Sequence, residues 1–237
     1  MGVPDLALTT NGALLTRKAG ALKEAGLQRT NISLDTLHPG SFRHITRGRI
    51  GPVLDGIEAA QAAGLEVKLN AVVMRGINDT DVFDLLAFAG ERNLPVRFLE
   101  MMPIGPAAAE FQRLYVSGAE IMRRMRAQGD LQPLPHQRGD TSRDAIFTDR
   151  QGRKTVCGFI LPTSQPFCDG CRRLRLSADG NLFGCLAQPD SIDPRAAFER
   201  AGAGDLQPLR RCVEQALRMK QRSQRFREQR AMVRMGG

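Results

Sequence analysis

The sequence predicts an α/β protein: a partial, incomplete barrel of parallel strands joined by helices, followed by a C-terminal region built around cysteine ligands. Three observations carry this. Strand-like and helix-like segments alternate through the first hundred or so residues. The strand-like segments place polar residues at every second position. All five cysteines (Cys157, Cys168, Cys171, Cys185, Cys212) lie in the second half of the chain.

The elements can be justified in order. The apolar run 5–10 ends in Thr9, Thr10, Asn11 and Gly12, and Leu15, Ala19 and Leu22 then recur at helical spacing until Gly26, a residue suited to the left-handed position after a helix. Residues 29–35 read as the next strand. Pro52 stands where a first-turn proline belongs, Val53, Leu54, Ile57 and Ala60 form an apolar stripe, and Gly64 ends it. Residues 66–73 are strand again; Asn78, Asp79 and Thr80 offer caps for a helix bearing Val82, Leu85, Leu86 and Ala89, and residues 96–102 close the series. The joints "EAGLQRTNISLD" and "AAGLEVKLNAVV" repeat one pattern, helix end, Gly-Leu, strand. Such a repeat implies a parallel sheet with right-handed crossovers. Asn31, Ser33 and Asp35 on one strand and Glu66, Lys68 and Asn70 on the next give a polar face, which suits a partial barrel cradling a large polar ligand; an edge facing solvent is the plainer alternative. After 101–105 the pattern changes to one helix near 117–127 and a loop-rich, charged stretch around 136–145. The expected division is therefore 1–105 for the barrel portion and 106–237 for the cysteine region with a basic helical tail.

At 237 residues and 42% hydrophobic composition the chain can build a sizeable core. No apolar run of about 18 residues occurs, and the start has neither a basic nor an apolar signal region, so no membrane association and a cytoplasmic location are expected. The odd cysteine count does not resemble a secreted disulfide framework. Most of the net charge of +9 comes from 210–234, with nine Lys/Arg against two Glu, as expected for a solvated helix or a docking segment.

Cys168-x2-Cys171-x13-Cys185 offers three thiolates, which suit zinc or an iron–sulfur cluster. Cys157 or, more remotely, His136 could complete a zinc site, and spacing alone leaves both metals open. In "CRRLRL", Arg173 and Arg175 would share one face of an extended segment, a good match for phosphates or a purine edge, with Leu174 between them. Asp179-Gly180 reads as a hairpin turn.

"TTNG" (9–12), "NISLDTL" (31–37), "KLNAVVMRGIND" (68–79), "RFLEMMPIG" (97–105), "FCDGCRRLRLSADGNLFGC" (167–185) and the terminal Gly236-Gly237 together resemble the molybdenum cofactor biosynthesis protein A family, the GTP 3′,8-cyclases of the radical S-adenosylmethionine superfamily. The resemblance implies a partial radical-SAM βα barrel and radical cyclisation of GTP for the molybdopterin pathway. It implies a C-terminal 4Fe-4S cluster on Cys168, Cys171 and Cys185 whose open iron meets GTP. GTP contacts fall on Thr9, Lys68, Arg173, Leu174 and Arg175, and S-adenosylmethionine contacts on Ser33 and Met102; the terminal glycines match a tail that reaches toward the active site. Implied partners are GTP, a reductant, a downstream pathway enzyme and a second copy in a homodimer.

One departure matters. The family's radical-generating Cys-x3-Cys-x2-Cys loop has no counterpart, since no cysteine precedes Cys157. The expectation is an N-terminally truncated chain that binds the C-terminal cluster but does not cleave S-adenosylmethionine alone, the N-terminal cluster belonging to the full-length protein. The competing readings are a zinc-stabilised nucleic-acid-binding module, disfavoured by one tyrosine and no tryptophan, and an inactive scaffold.

Overall fold

A computed structural model describes residues 3–105, 107–137, 139–168 and 170–220. Two compact units form: Met1–Met101 with Arg113–Ser164, and Met102–Gln112 with the residues from Gln165 onward. In chain order the first run of elements is β1 (Ala7–Thr10), α1 (Leu15–Glu24), β2 (Arg29–Ser33), α2 (Pro39–Thr46), α3 (Gly51–Ala62), β3 (Glu66–Val73), α4 (Val82–Glu91) and β4 (Val96–Glu100). After α5 (Ala107–Leu114) and α6 (Gly118–Gln128) come β5 (Gly129–Pro133), β6 (Arg143–Asp149) and β7 (Lys154–Ile160). The second unit holds β8 (Arg175–Leu176), β9 (Leu182–Phe183), α7 (Arg195–Gly202) and α8 (Gln207–Arg218).

The expected βα series is present. In the first unit seven strands run in the order β1-β2-β3-β4-β7-β6-β5; β1 to β4 and β7 are parallel, while β6 and β5 are antiparallel additions. The sheet is open, with β1 and β5 at its two edges among the described residues. One face is apolar: Ile32, Leu69, Val96 and Phe98 pack with Ile57 and Leu85 from the helices into the core. That burial, at roughly 25 cal/mol per Å² of apolar surface, is the main favourable term holding the layers together.

Two sequence readings are corrected. The stretch read as loop-rich and charged, 136–145, runs into β6, and β5, which the sequence reading did not mark, pairs with it; the two continue the sheet beyond β7. Charged flanks such as Arg143, Asp144 and Asp149 hid the strand, yet Ala145 and Phe147 alternate into the core as a half-buried strand requires. Asn78 does not cap α4. Its Nδ2 donates to the carbonyls of Asp35 (2.6 Å) and Val72 (2.9 Å), and its Oδ1 accepts from Met74 N (2.7 Å), so it pins the β2 and β3 ends instead. Gly236-Gly237 lie outside the described residues. Among the described residues no helix is long and apolar enough to cross a membrane.

The packing of α3 depends on a glycine. A Cβ at Gly56 would meet the Gly12 carbonyl oxygen at 2.2 Å and Leu15 Cβ at 3.4 Å, and Gly12 itself sits at φ +79°. Gly56→Ala is expected to cost about 1–3 kcal/mol through overpacking, despite alanine's better helix propensity. Gly20→Ala, on the open side of α1 with nothing within 4 Å, should gain roughly 0.5–1 kcal/mol. Urea unfolding of the two variants checks the opposite signs.

Candidate functional site

Parallel register sets side chains of equal phase beside one another. Thr9 pairs with Asn31 and Asn31 with Lys68; one step on, Ser33 pairs with Asn70 and Asn70 with Arg97. The result is two polar rows on the sheet face opposite the core, with Thr9 and Ser33 exposed and Asn31, Lys68, Asn70 and Arg97 partly buried. Lys68 Nζ rests 2.8 Å from Glu66 Oε1, and Asn70 Oδ1 is buried with no hydrogen-bond partner among the described residues. A buried acceptor without a donor costs free energy unless something supplies one. At the end of β2, burial pushes the Asp35 carboxyl up to about 6, against the opposing bond from Val72 N (2.8 Å). Thr9, Ser33 and Lys68 therefore share one face. Met102 follows β4, is half-buried and belongs to the second unit.

In the second unit the chain turns at the first thiol pair, Cys171 N donating to Cys168 O at 3.2 Å. β8 and β9 pair antiparallel through the expected hairpin, with Gly180 at φ +84° and Ser177 N bonded to Asn181 O at 2.9 Å. The hairpin returns the chain to Cys185. All three cysteines are free and half-buried. Burial raises the Cys168 thiol, and the thiolate charges of Cys185 and Cys171 raise it further, so the three sulfurs lie within electrostatic reach. Cys171 is held below the usual thiol range: burial opposes this, but hydrogen bonds from the Arg173 amide and guanidinium and the charges of Arg173 and Lys220 prevail.

Arg173 and Arg175 differ more than alternation suggests. Arg173 is exposed, outside β8, with its guanidinium 4.5 Å from the Phe167 ring centroid. Arg175 is partly buried; burial lowers its pKa, and the like charge of Arg173 adds to this. The two cations are close enough to feel each other, with Leu174 half-buried between them.

Cys157 is enclosed. It sits on β7 in the core of the first unit, 1% exposed, and burial pushes its thiol up to about 12. Sequence reasoning missed Arg97, whose signal was the period-two pattern of 96–100, and Lys220, which no local pattern marks. Among the described residues, the one set of three His, Cys, Asp or Glu side chains with ligand atoms all within 4.8 Å is His38, Asp81 and Asp84. It is a polar clamp between the start of α2 and α4, in which Asp81 also accepts from Thr36 Oγ1 at 2.5 Å.

Fold and donor set together define an open, mostly parallel βα-sheet protein with a thiol-rich, arginine-flanked C-terminal region. Residues 2–89 match the Radical SAM superfamily, and residues 94–226 match Molybdenum Cofactor Synthesis C. The chain belongs to this molybdenum cofactor synthesis family of the radical SAM superfamily, whose members use a 4Fe-4S cluster and S-adenosylmethionine. It is 39% identical over 226 residues to a GTP 3′,8-cyclase of Rhizobium etli (strain CIAT 652), covering 95% of this chain and 64% of that protein. To the GTP 3′,8-cyclase of Heliobacterium modesticaldum it is 45% identical over 222 residues, 92% of this chain and 67% of the other. To that of Moorella thermoacetica it is 44% identical over 242 residues, 100% of this chain and 73% of the other.

Proposed function

We propose that the chain serves molybdenum cofactor biosynthesis as the GTP-binding, second-cluster portion of a GTP 3′,8-cyclase. The observation that carries this is the group of three free, half-buried thiols flanked by two arginines of unlike burial. The donor set fits a cluster. Thiolates are the ligands of iron–sulfur centres, and Arg173 and Lys220 offset their negative charge. A structural zinc takes four protein ligands, whereas Cys157, the nearest fourth thiol along the chain, is enclosed in the core of the first unit. Cys168, Cys171 and Cys185 would hold the cluster. When bound, it would supply an iron with an open position for a substrate atom.

The chain's own residues do the rest. Arg175, partly withdrawn from water, presents a guanidinium whose bond to an anion is stronger than at the surface, while Arg173, held beside Phe167 and Cys171, adds a second positive charge at the solvent side. Leu174 offers an apolar edge to a base. On the sheet face Thr9 is a hydroxyl donor, and Lys68 exchanges Glu66 for a phosphate. Ser33 and Met102 are assigned to S-adenosylmethionine. In this reading residues 1–105 are the barrel portion and 106–237 the cluster- and GTP-binding region of a cytoplasmic enzyme. A reductant, a downstream pathway enzyme and a second copy are its partners.

The test is GTP binding by anaerobically prepared protein, measured by equilibrium dialysis. Lys68→Ala and Arg175→Ala should each weaken it about tenfold or more, the loss of one charge-assisted bond to phosphate. Arg195→Ala, which removes only a surface pair with Asp193, should leave it unchanged. Equal affinity in all three variants would withdraw the assignment.

A further inference from the structure

The sulfurs of the three-cysteine set have different neighbours. Cys185 Sγ accepts from the backbone amide of Ala187 at 3.4 Å, a neutral donor two residues away. Cys171 Sγ accepts instead from the ammonium of Lys220, also at 3.4 Å but 49 residues along the chain. Arg173 brings its amide and guanidinium to the same sulfur. A second bond fixes the lysine, Nζ to the Arg173 carbonyl oxygen at 2.5 Å. An ammonium tied at two points is held by the fold rather than left to sample solvent. The close approach of α8 makes this possible: a Cβ on Gly184, the residue before Cys185, would meet the Ala216 carbonyl oxygen at 2.0 Å. Lys220 follows just past the end of that helix.

We propose that Lys220 is a positioning residue for the cluster: by donating to Cys171 Sγ it orients that thiolate and draws negative charge from it, raising the reduction potential of the bound centre. The proposal rests on the three-cysteine reading above. Reduction adds negative charge to a cluster and its sulfurs, so a donor fixed at a ligating sulfur favours the reduced form, and a cationic donor does so more than an amide. By sequence alone Lys220 is one more charge of a basic tail. Its contacts single it out.

The experiment is a redox titration of the 237-residue chain, purified without oxygen, as wild type, Lys220→Met and Lys220→Arg, with iron and sulfide counted in each. Lys220→Met should keep its iron while its reduced-to-oxidised ratio at the wild-type midpoint falls roughly tenfold, about 59 mV for a one-electron couple; Lys220→Arg should restore most of that. Loss of iron from Lys220→Met but not from Lys220→Arg supports the proposal equally, because the retained cation is what separates them. An unchanged or raised midpoint in iron-replete Lys220→Met overturns it, as does equal iron loss from both variants. A wild-type chain that carries no iron removes the three-cysteine reading itself and this proposal with it, so the wild-type iron count tells the two failures apart.

Discussion

Serine at Cys185 is expected to empty the proposed cluster site. Wild-type chain purified without oxygen should be brown, with about four irons and four sulfides; Cys185→Ser should be colourless and carry neither. Serine keeps the size and the Ala187 amide contact of the native residue, but its hydroxyl does not ionise near neutral pH, and the thiolate is the species that ligates. With two thiolates left, the centre has too few anchors to persist. Cys157→Ser is the informative control. Because that thiol is enclosed in the core of the first unit, the substitution should change stability and leave the iron count alone. A colourless wild-type protein holding about one zinc, lost in both variants, would reverse the assignment.

The second large effect is structural. Glu100, at the end of β4 and 2% exposed, accepts from five donors: Gly118 N (2.8 Å), Ser164 N (2.8 Å) and Oγ (2.5 Å), Thr163 N (3.1 Å) and Tyr115 OH (3.1 Å). One carboxylate thus ties the sheet to the start of α6 and to the loop after β7. Glu100→Ala removes the acceptor of one buried and four part-buried bonds, so unfolding in urea should show a loss of roughly 1–3 kcal/mol. The same variant has a spectroscopic signature. Tyr115 is pushed up to about 12 by burial first and by the Glu100 charge and hydrogen bond next; removing the carboxylate should bring its phenol part of the way back toward 10. A stability loss under about 1 kcal/mol, or an unmoved tyrosine titration, would show that these bonds carry little.

Much of the first unit was legible because the signals are local. Gly26 and Gly64 take the left-handed conformation after α1 and α3 at φ +95° and +71°, as their places behind the apolar stripes required. The period-two alternation of 66–73 appears in the fold as a strict change of face along β3. The hairpin at Asp179-Gly180 was legible for the same reason, since a turn is decided by the few residues within it. β7 was equally readable in principle: Thr155, Cys157 and Phe159 alternate into the interior.

By itself the sequence determined the βα order of the first four strands, the polar phase of β2 and β3, and the presence of three cysteines beside two arginines. Each is a matter of residue type and spacing over a few positions. Only the tertiary structure decided that β6 and β5 extend the sheet beyond β7, that Arg175 is partly buried while Arg173 stays exposed, that Cys157 is walled into a core, and that Lys220 reaches Cys171. These depend on groups tens of residues apart meeting in a packed interior, where burial and a fixed geometry set both the strength of a hydrogen bond and the charge a side chain can keep. No short stretch of sequence contains both partners of such a contact.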